Sequence, residues 1–187
     1  MIATPQLSQR KVRAADAEGE TRATLALVQG LAEKPEELFS MLVQAVLEFS
    51  NGDSAGISLL DEKRGRFFWP AVTGGLASYI GAGTPSDFGP CGTVLDRDAV
   101  VLFSHPERHF TYLEPITPPL EEVLLVPFHV DGKAVGTIWA VIHEPGRQFD
   151  AEDQRLMQNL SELASSAYRI LTTTGAMKAI FAKALPA

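Results

Sequence analysis

The chain has 187 residues, 45% of them hydrophobic, and a formal net charge of -7 from 16 basic and 23 acidic side chains. This supports one compact domain with extensions and gives no electrostatic footprint for nucleic acid, the sole basic cluster being Arg10-Lys11-Val12-Arg13. Apolar runs stop well short of the roughly 20 residues a bilayer span needs, the single cysteine, Cys91, excludes an intrachain disulfide, and the first residues carry no apolar signal core, so a cytoplasmic protein without membrane insertion is expected.

From Ala14 to Ala32 the sequence is polar and Ala-rich, with Leu25, Val28, Leu31 and Ala32 at helical spacing after a weak point at Gly19, and predicts a lead-in helix. Pro35 suits a first helical turn, where Glu36 and Glu37 complement the positive end of the dipole. Leu38, Leu42, Ala45, Val46 and Phe49 share one face of that helix, predicted over 36–49 and closed by Asn51-Gly52 as a C-cap. Ala55–Leu60 and Phe67–Thr73 are β-favouring runs around Asp61-Glu62-Lys63-Arg64-Gly65 and predict an antiparallel hairpin. Between Gly74 and Phe110 the pattern dissolves into Gly, Pro and short pieces, with a helical turn at Thr93–Leu95 and a short strand at Val100–Phe103. Irregular stretches of this length in compact domains are often binding elements.

Pro115, Pro118 and Pro119 mark a further turn. Val123–Phe128 and Val135–Ile142 then flank Asp131-Gly132, a pair suited to a tight primed turn because both central residues need positive φ. Both runs are nearly continuously apolar, so each is expected to be covered on both faces. Asp150 caps the last helix with Asp153 in a capping-box position, and Leu156, Leu160, Leu163, Ala167 and Ile170 follow at alternating spacings of four and three, a heptad seam. Met157, Ala164 and Leu171 widen it beyond what one sheet face covers. The sheet is expected to take Leu156–Leu163, leaving Ala167, Ile170 and Leu171 to meet the lead-in helix at Leu25 and Val28 or a second subunit.

The hairpin from Phe128 to Gly136-Thr137, followed by Phe149-Asp150-Ala151-Glu152-Asp153, resembles the closing half of a GAF domain, and element order extends the resemblance over about Pro35–Leu171. The resemblance implies an α+β fold: a central antiparallel sheet of about five or six strands, terminal helices on one face, and on the other a ligand pocket lined by the irregular segment Tyr79–His109. The division expected is a lead-in helix or linker over 1–34, the GAF domain over 35–174 and a tail over 175–187. The function implied is a non-enzymatic sensory domain of a signal-transduction protein, such as a two-component system. It would bind an unidentified small molecule and signal through its terminal helices as a homodimer. Two rivals stand beside it: a redox sensor or GAF-fold enzyme using Cys91, and a ligand-free dimerisation module whose pocket its own side chains fill.

Candidate ligand-binding residues are Tyr79, Phe88, Cys91, His105, His109, Phe110 and Tyr112; no catalytic or metal-binding set is assigned and the cofactor is left open. The aromatic rings suit a flat ligand and a core alike, with packing favoured for Trp69 and Trp139 on predicted strands. Cys91 is either a reactive thiol or a small buried hydrophobe. His105 and His109 have the i, i+4 spacing that puts two imidazoles on one helix face, open to a metal, a polar ligand contact or a surface role. Several GAF chemistries find no match. Phytochrome-like bilin sites need a cysteine next to a histidine, and Cys91 precedes Gly92. The cyclic-nucleotide signature Asn-Lys…Phe…Asp-Glu does not occur, and free methionine sulfoxide reductases use a set of cysteines that Cys91 alone does not supply. The purified protein is therefore expected to be colourless; visible absorbance that survives denaturation would overturn this.

Overall fold

The apolar runs become five strands, β1 (Ser54–Asp61), β2 (Arg66–Gly74), β3 (Val101–Ser104), β4 (Glu122–Val130) and β5 (Lys133–Ile142). In the computed structural model, which describes residues 1–184, they form one antiparallel sheet in the order β2-β1-β5-β4-β3. The helices are α1 (Ala17–Glu33), α2 (Leu38–Phe49), α3 (Pro90–Arg97), α4 (Ala151–Thr173) and α5 (Met177–Ala184). Alternate side chains of a strand point to opposite faces, so the apolar runs feed two cores. Ile57, Leu59, Leu124, Val126, Ile138 and Ala140 pack with α2 and α4, while Trp69, Phe103, Val123, Leu125, Trp139 and Val141 pack under the segment 75–120. Both faces are covered, as continuous apolar runs require.

The two hairpins form for local reasons. Asp131 and Gly132 take φ of 52° and 76° in the β4–β5 turn, the primed geometry whose twist matches the strands. In the β1–β2 turn the Asp61 carboxylate accepts from the Lys63 and Arg64 backbone N–H groups and, at 2.7 Å, from the Arg64 guanidinium. On the edge strand β2 an extra residue opposite Ile57–Leu59 makes a bulge at Trp69-Pro70, a place where proline's missing N–H costs no ladder bond.

Several expectations need correcting. Pro35 opens a 3-10 turn, Pro35–Glu37, that runs into α2, and α2 ends at an extended Ser50 instead of an Asn51-Gly52 cap. The reason is tertiary: the Asn51 N–H is taken by Asp153 Oδ1 at 2.8 Å. Residues 90–97 form a full helix where only a turn at 93–95 is expected, because Pro90 is at the first helical position and opens the helix. Gly19 is no weak point: it lies in the capped first turn of α1, its N–H donating to Asp16, and it is buried against Phe49. α1 buries Leu27, with Ala23 and Leu31 beside it, and leaves Leu25 and Val28 58% and 50% exposed. Leu27 lies 200° round the helix from Leu25, so both cannot face α2.

The capping box of α4 is complete: Asp150 accepts from the Glu152 and Asp153 N–H groups, and Asp153 accepts from Asp150 N–H. Buried Asp153 also accepts from Asn51 and from Arg13 (2.8 Å each), while Arg10 grips buried Glu122 through both guanidinium nitrogens at 2.7 and 2.9 Å. The basic cluster is thus used inside the fold. At the far end of α4, Ala167 and Leu171 are buried in the helix-side core of their own chain, together with Met177 and, at the edge, Ile180 and Phe181 of α5. This replaces the expected contact of Ala167 and Leu171 with α1 or a second subunit. α5 folds back after Gly175 until Phe181 meets Phe68, ring centroids 4.2 Å apart.

Neither sheet edge is bare. Ala3 N–H bonds Leu102 O at 2.7 Å along β3, and Phe67 and Trp69 of β2 donate to Thr84 and Ala82 carbonyls at 2.8 Å. No atom lies within 4 Å of where a Cβ on Gly132 would stand, so Gly132→Val meets backbone strain alone. A loss of about 1–2 kcal/mol is expected, read as a lowered melting temperature; an unchanged one would contradict the turn geometry.

Candidate ligand-binding site

The sheet face opposite α2 and α4 carries a partly open cavity of about 40 Å³. Its floor is Trp69, Val123, Leu125, Trp139 and Val141; its roof comes from Leu76, Cys91, Leu113, Ile116 and Leu120 with Thr84, Pro90 and Pro106. The two indoles meet edge to face with centroids 5.4 Å apart. Trp139 fits because its cross-strand partner is Gly56: a Cβ there would stand 2.1 Å from the indole. The volume is below the roughly 150 Å³ that admits benzene. In this conformation the cavity holds something the size of water or a diatomic molecule.

A polar cluster adjoins this apolar space. Ser58 and Thr137, cross-strand partners on β1 and β5, are fully buried. Ser58 Oγ accepts from Trp139 Nε1 at 2.9 Å and from Cys91 Sγ at 3.4 Å, and Thr137 Oγ1 donates to Cys91 Sγ at 3.5 Å. Burial pushes the Cys91 thiol pKa up, outweighing the hydrogen bonds with Ser58 and Thr137 that pull it down. The Tyr112 phenol is likewise pushed up by burial, then by the charge of a Cys91 thiolate. Around this cluster Trp69 Nε1, Thr84 Oγ1 and Tyr112 Oη are buried without a hydrogen-bond partner among the described residues. Orphaned polar atoms cost about 1–3 kcal/mol each, so a guest that pairs with them is favoured.

The roof is pinned by one residue beyond β5. His143 Nδ1 lies 2.6 Å from Pro119 O and its Nε2 lies 2.7 Å from Ser54 Oγ, which also accepts from Leu76 N–H at 3.0 Å. A carbonyl only accepts, so Nδ1 carries the proton and Nε2 takes the Ser54 hydroxyl proton. Leu76 and Leu120, next to these bonds, wall the cavity.

Of the seven candidate residues, Cys91 lines the cavity and Tyr112 stands beside the thiol. Tyr79 braces the roof, its Oη accepting from Thr117 N–H at 3.1 Å. Phe88 is 46% exposed, 5.2 Å from the buried Phe110 ring and 5.9 Å from His109. His105 and His109 flank only a 3-10 turn, Pro106–Arg108, so no α-helical face brings them together. His105, at φ 48°, stands 3.5 Å from Glu107 and 3.7 Å from Glu121, and no metal-holding group of three or more His, Cys, Asp or Glu occurs among the described residues. The list omits Trp69, Thr84, Trp139 and the Ser58–Thr137 pair. Strand alternation is the signal that finds them: polar Ser58 and Thr137 interrupt strands that are otherwise apolar and share a face with the tryptophans.

Because burial raises the thiol pKa, the thiolate fraction at neutral pH falls below that of a free cysteine. Alkylation and peroxide oxidation of Cys91 are therefore expected to be slow in the folded protein and fast in denaturant, by intact-mass measurement. Equal rates in the two states would contradict the burial. His143→Ala, which frees both roof segments, is expected to speed modification at least severalfold.

The sequence matches the GAF domain family over residues 32–168, and a comparison with curated proteins finds no match. Among solved structures, the GAF domain of an Acinetobacter phosphoenolpyruvate-protein phosphotransferase is similar at 19% identity and TM-score 0.68, over 84% of this chain and 97% of that one. Free methionine-R-sulfoxide reductase from Neisseria meningitidis, in complex with its substrate, is similar at 15% identity and TM-score 0.68, over 88% and 98%. The GAF-B domain of DevS from Mycobacterium smegmatis is similar at 17% identity and TM-score 0.61, over 77% and 99%. At such identities these structures establish the fold. With the family match spanning most of the sequence, the chain belongs to the GAF domain family.

Proposed function

We propose that this chain is a non-enzymatic sensory domain of a signal-transduction protein, binding a small molecule between its sheet and the segment 75–120. The observation that carries the reading is the small apolar cavity among Trp69, Thr84, Cys91 and Trp139, with buried polar atoms of Trp69 and Thr84 unpaired among the described residues. A guest of a few atoms fits in place; a larger one requires Leu76 and Leu120 to swing out. The raised thiol pKa speaks for Cys91 as a wall and against its use as a nucleophile.

Signalling follows from shared strands. Trp139 and Leu125 wall the cavity, and their chain neighbours Ile138, Leu124 and Val126 pack beneath α2 and α4. A guest that prefers one arrangement of the tryptophans thereby biases the helices. A homodimer is proposed through the exposed face of α1 at Leu25 and Val28, since Ala167 and Leu171 are used within the chain. The small volume favours a second reading, a chamber filled by its own side chains.

The chain has two tryptophans, and both line the cavity, so intrinsic fluorescence reports on it directly. Native mass spectrometry of protein from its own host is expected to show added mass, and releasing that molecule to shift the emission. No added mass, together with unchanged emission and melting temperature across a small-molecule screen, would support the filled chamber instead. Leu25→Glu with Val28→Glu is expected to give a folded monomer by light scattering. An unmodified protein that is already monomeric at tens of micromolar, about the range where a signalling dimer should hold, would sink the dimer.

A further inference from the structure

A second, larger recess opens at the β3 edge, away from the tryptophans. Its walls include Ile2, Arg97, Phe103, Arg108, His109 and Phe110, and its volume is about 830 Å³, within the roughly 300–1,000 Å³ of small-molecule sites. On a chain of net charge -7, this recess is lined by two arginines and two histidines and by no carboxylate. Of the acids beside it, Glu107 keeps one buried carboxylate oxygen without a partner among the described residues, and Asp96 is exposed next to Arg97. Glu107 and Glu121 bracket His105 at 3.5 and 3.7 Å, Glu107 reaches Arg108 only at 3.9 Å, and Asp98, next to Arg97 in sequence, bonds His129. Arg97 has no ion-pair partner among the described residues, and its side chain and that of Arg108 are exposed.

The recess also has an aromatic side. Phe103 and Phe110, almost fully buried, reach it with the edges of rings whose centroids are 5.8 Å apart, and the half-exposed Phe88, outside the lining, stands edge-on to Phe110. The segment that carries Arg108 and His109 leaves β3 through His105, a non-glycine residue held at φ 48°, a conformation that surrounding structure must sustain. Guanidinium groups pair planar oxyanions through two parallel hydrogen bonds, and exposed phenyl surface gains by covering a flat ring.

We propose that this recess is a second binding site, for a small aromatic anion such as an aryl carboxylate or aryl phosphate. Arg97 and Arg108 hold the anionic group, His109 assists, and the edges of Phe103 and Phe110 that wall the recess meet the ring. The site stands independently of the tryptophan cavity: a guest in one touches no lining residue of the other except through Pro106, which walls the cavity at the base of the same turn.

The chain's four histidines, His105, His109, His129 and His143, make an internal control. In imidazole-resolved nitrogen NMR at constant pH and ionic strength, phenyl phosphate is expected to shift His105 and His109 saturably while His129 and His143 stay put. Arg97→Ala and Arg108→Ala, both at exposed positions, should each weaken binding about tenfold with an unchanged melting temperature. Inorganic phosphate and benzyl alcohol, each carrying half of the recognised chemistry, should bind more weakly than phenyl phosphate. The proposal is overturned by equal shifts at all four histidines, by no saturable shift, by arginine variants that bind as well as the parent, or by inorganic phosphate binding as tightly. Failure of the cavity reading shows elsewhere, in tryptophan emission and co-purified mass, so the two outcomes are separable.

Discussion

A sheet whose strands are apolar on both faces has to be covered twice, and the rest of this structure follows from how the two covers differ. On one face α2 and α4 supply long regular surfaces that bury Ile57, Leu124, Val126 and Ile138. On the other, a single stretch of chain from 75 to 120 must do the work with one eight-residue helix, one short strand and several 3-10 turns. Backbone of that kind does not tile a flat apolar surface. Space is left over Trp69 and Trp139, and polar atoms of Trp69, Thr84 and Tyr112 are buried without a partner among the described residues.

The N-terminal residues are built into this arrangement. Arg10 and Arg13 spend their charges on Glu122 and Asp153, both buried, and Glu122 accepts a further hydrogen bond from Phe149 N–H. Such pairs contribute little against well-packed apolar side chains of the same shape, yet removing one partner costs about 3–5 kcal/mol because a buried charge is left alone. They act by specifying place: the segment before α1 has one position that satisfies both carboxylates. The same segment covers β3 at Ala3, and residues 82–84 cover β2, so each edge strand hands its spare hydrogen bonds to its own chain.

Features decided by neighbouring residues were legible in the sequence. Asp131-Gly132 needs only its own dihedrals, and Asp150 with Asp153 needs only one helical turn, so both came out as expected. Features decided by distant partners were not. Leu27 displaces Leu25 from the buried face of α1 because of where α2 lies, and Asn51 caps nothing because Asp153 reaches it first. The site divides in the same way. Cys91 stood out as a lone thiol between glycines, but its setting depends on Ser58 and Thr137 from strands far away in sequence. His105 and His109 carry a metal-like spacing that presupposes an α-helix, and the proline between them opens a tighter turn instead. Phe88, Phe110 and His109 do come together, though at the β3 edge and not under the roof.

The carboxylate of Asp153 gathers the start of α4, the residue after α2's cap and the arm bearing Arg13, with three hydrogen bonds at one buried point. Sliding α4 along its axis would break the bonds to Asn51 and Arg13 together, while the capping bond from Asp150 travels with the helix. Tilting α4 about that point breaks none. The helix is thus tied most firmly at its N-terminal end, and a tilt about that point would carry its far end, which packs with α5, through the widest arc. Displacement grows with distance from the fulcrum, so the largest excursion occurs at the last turns of α4.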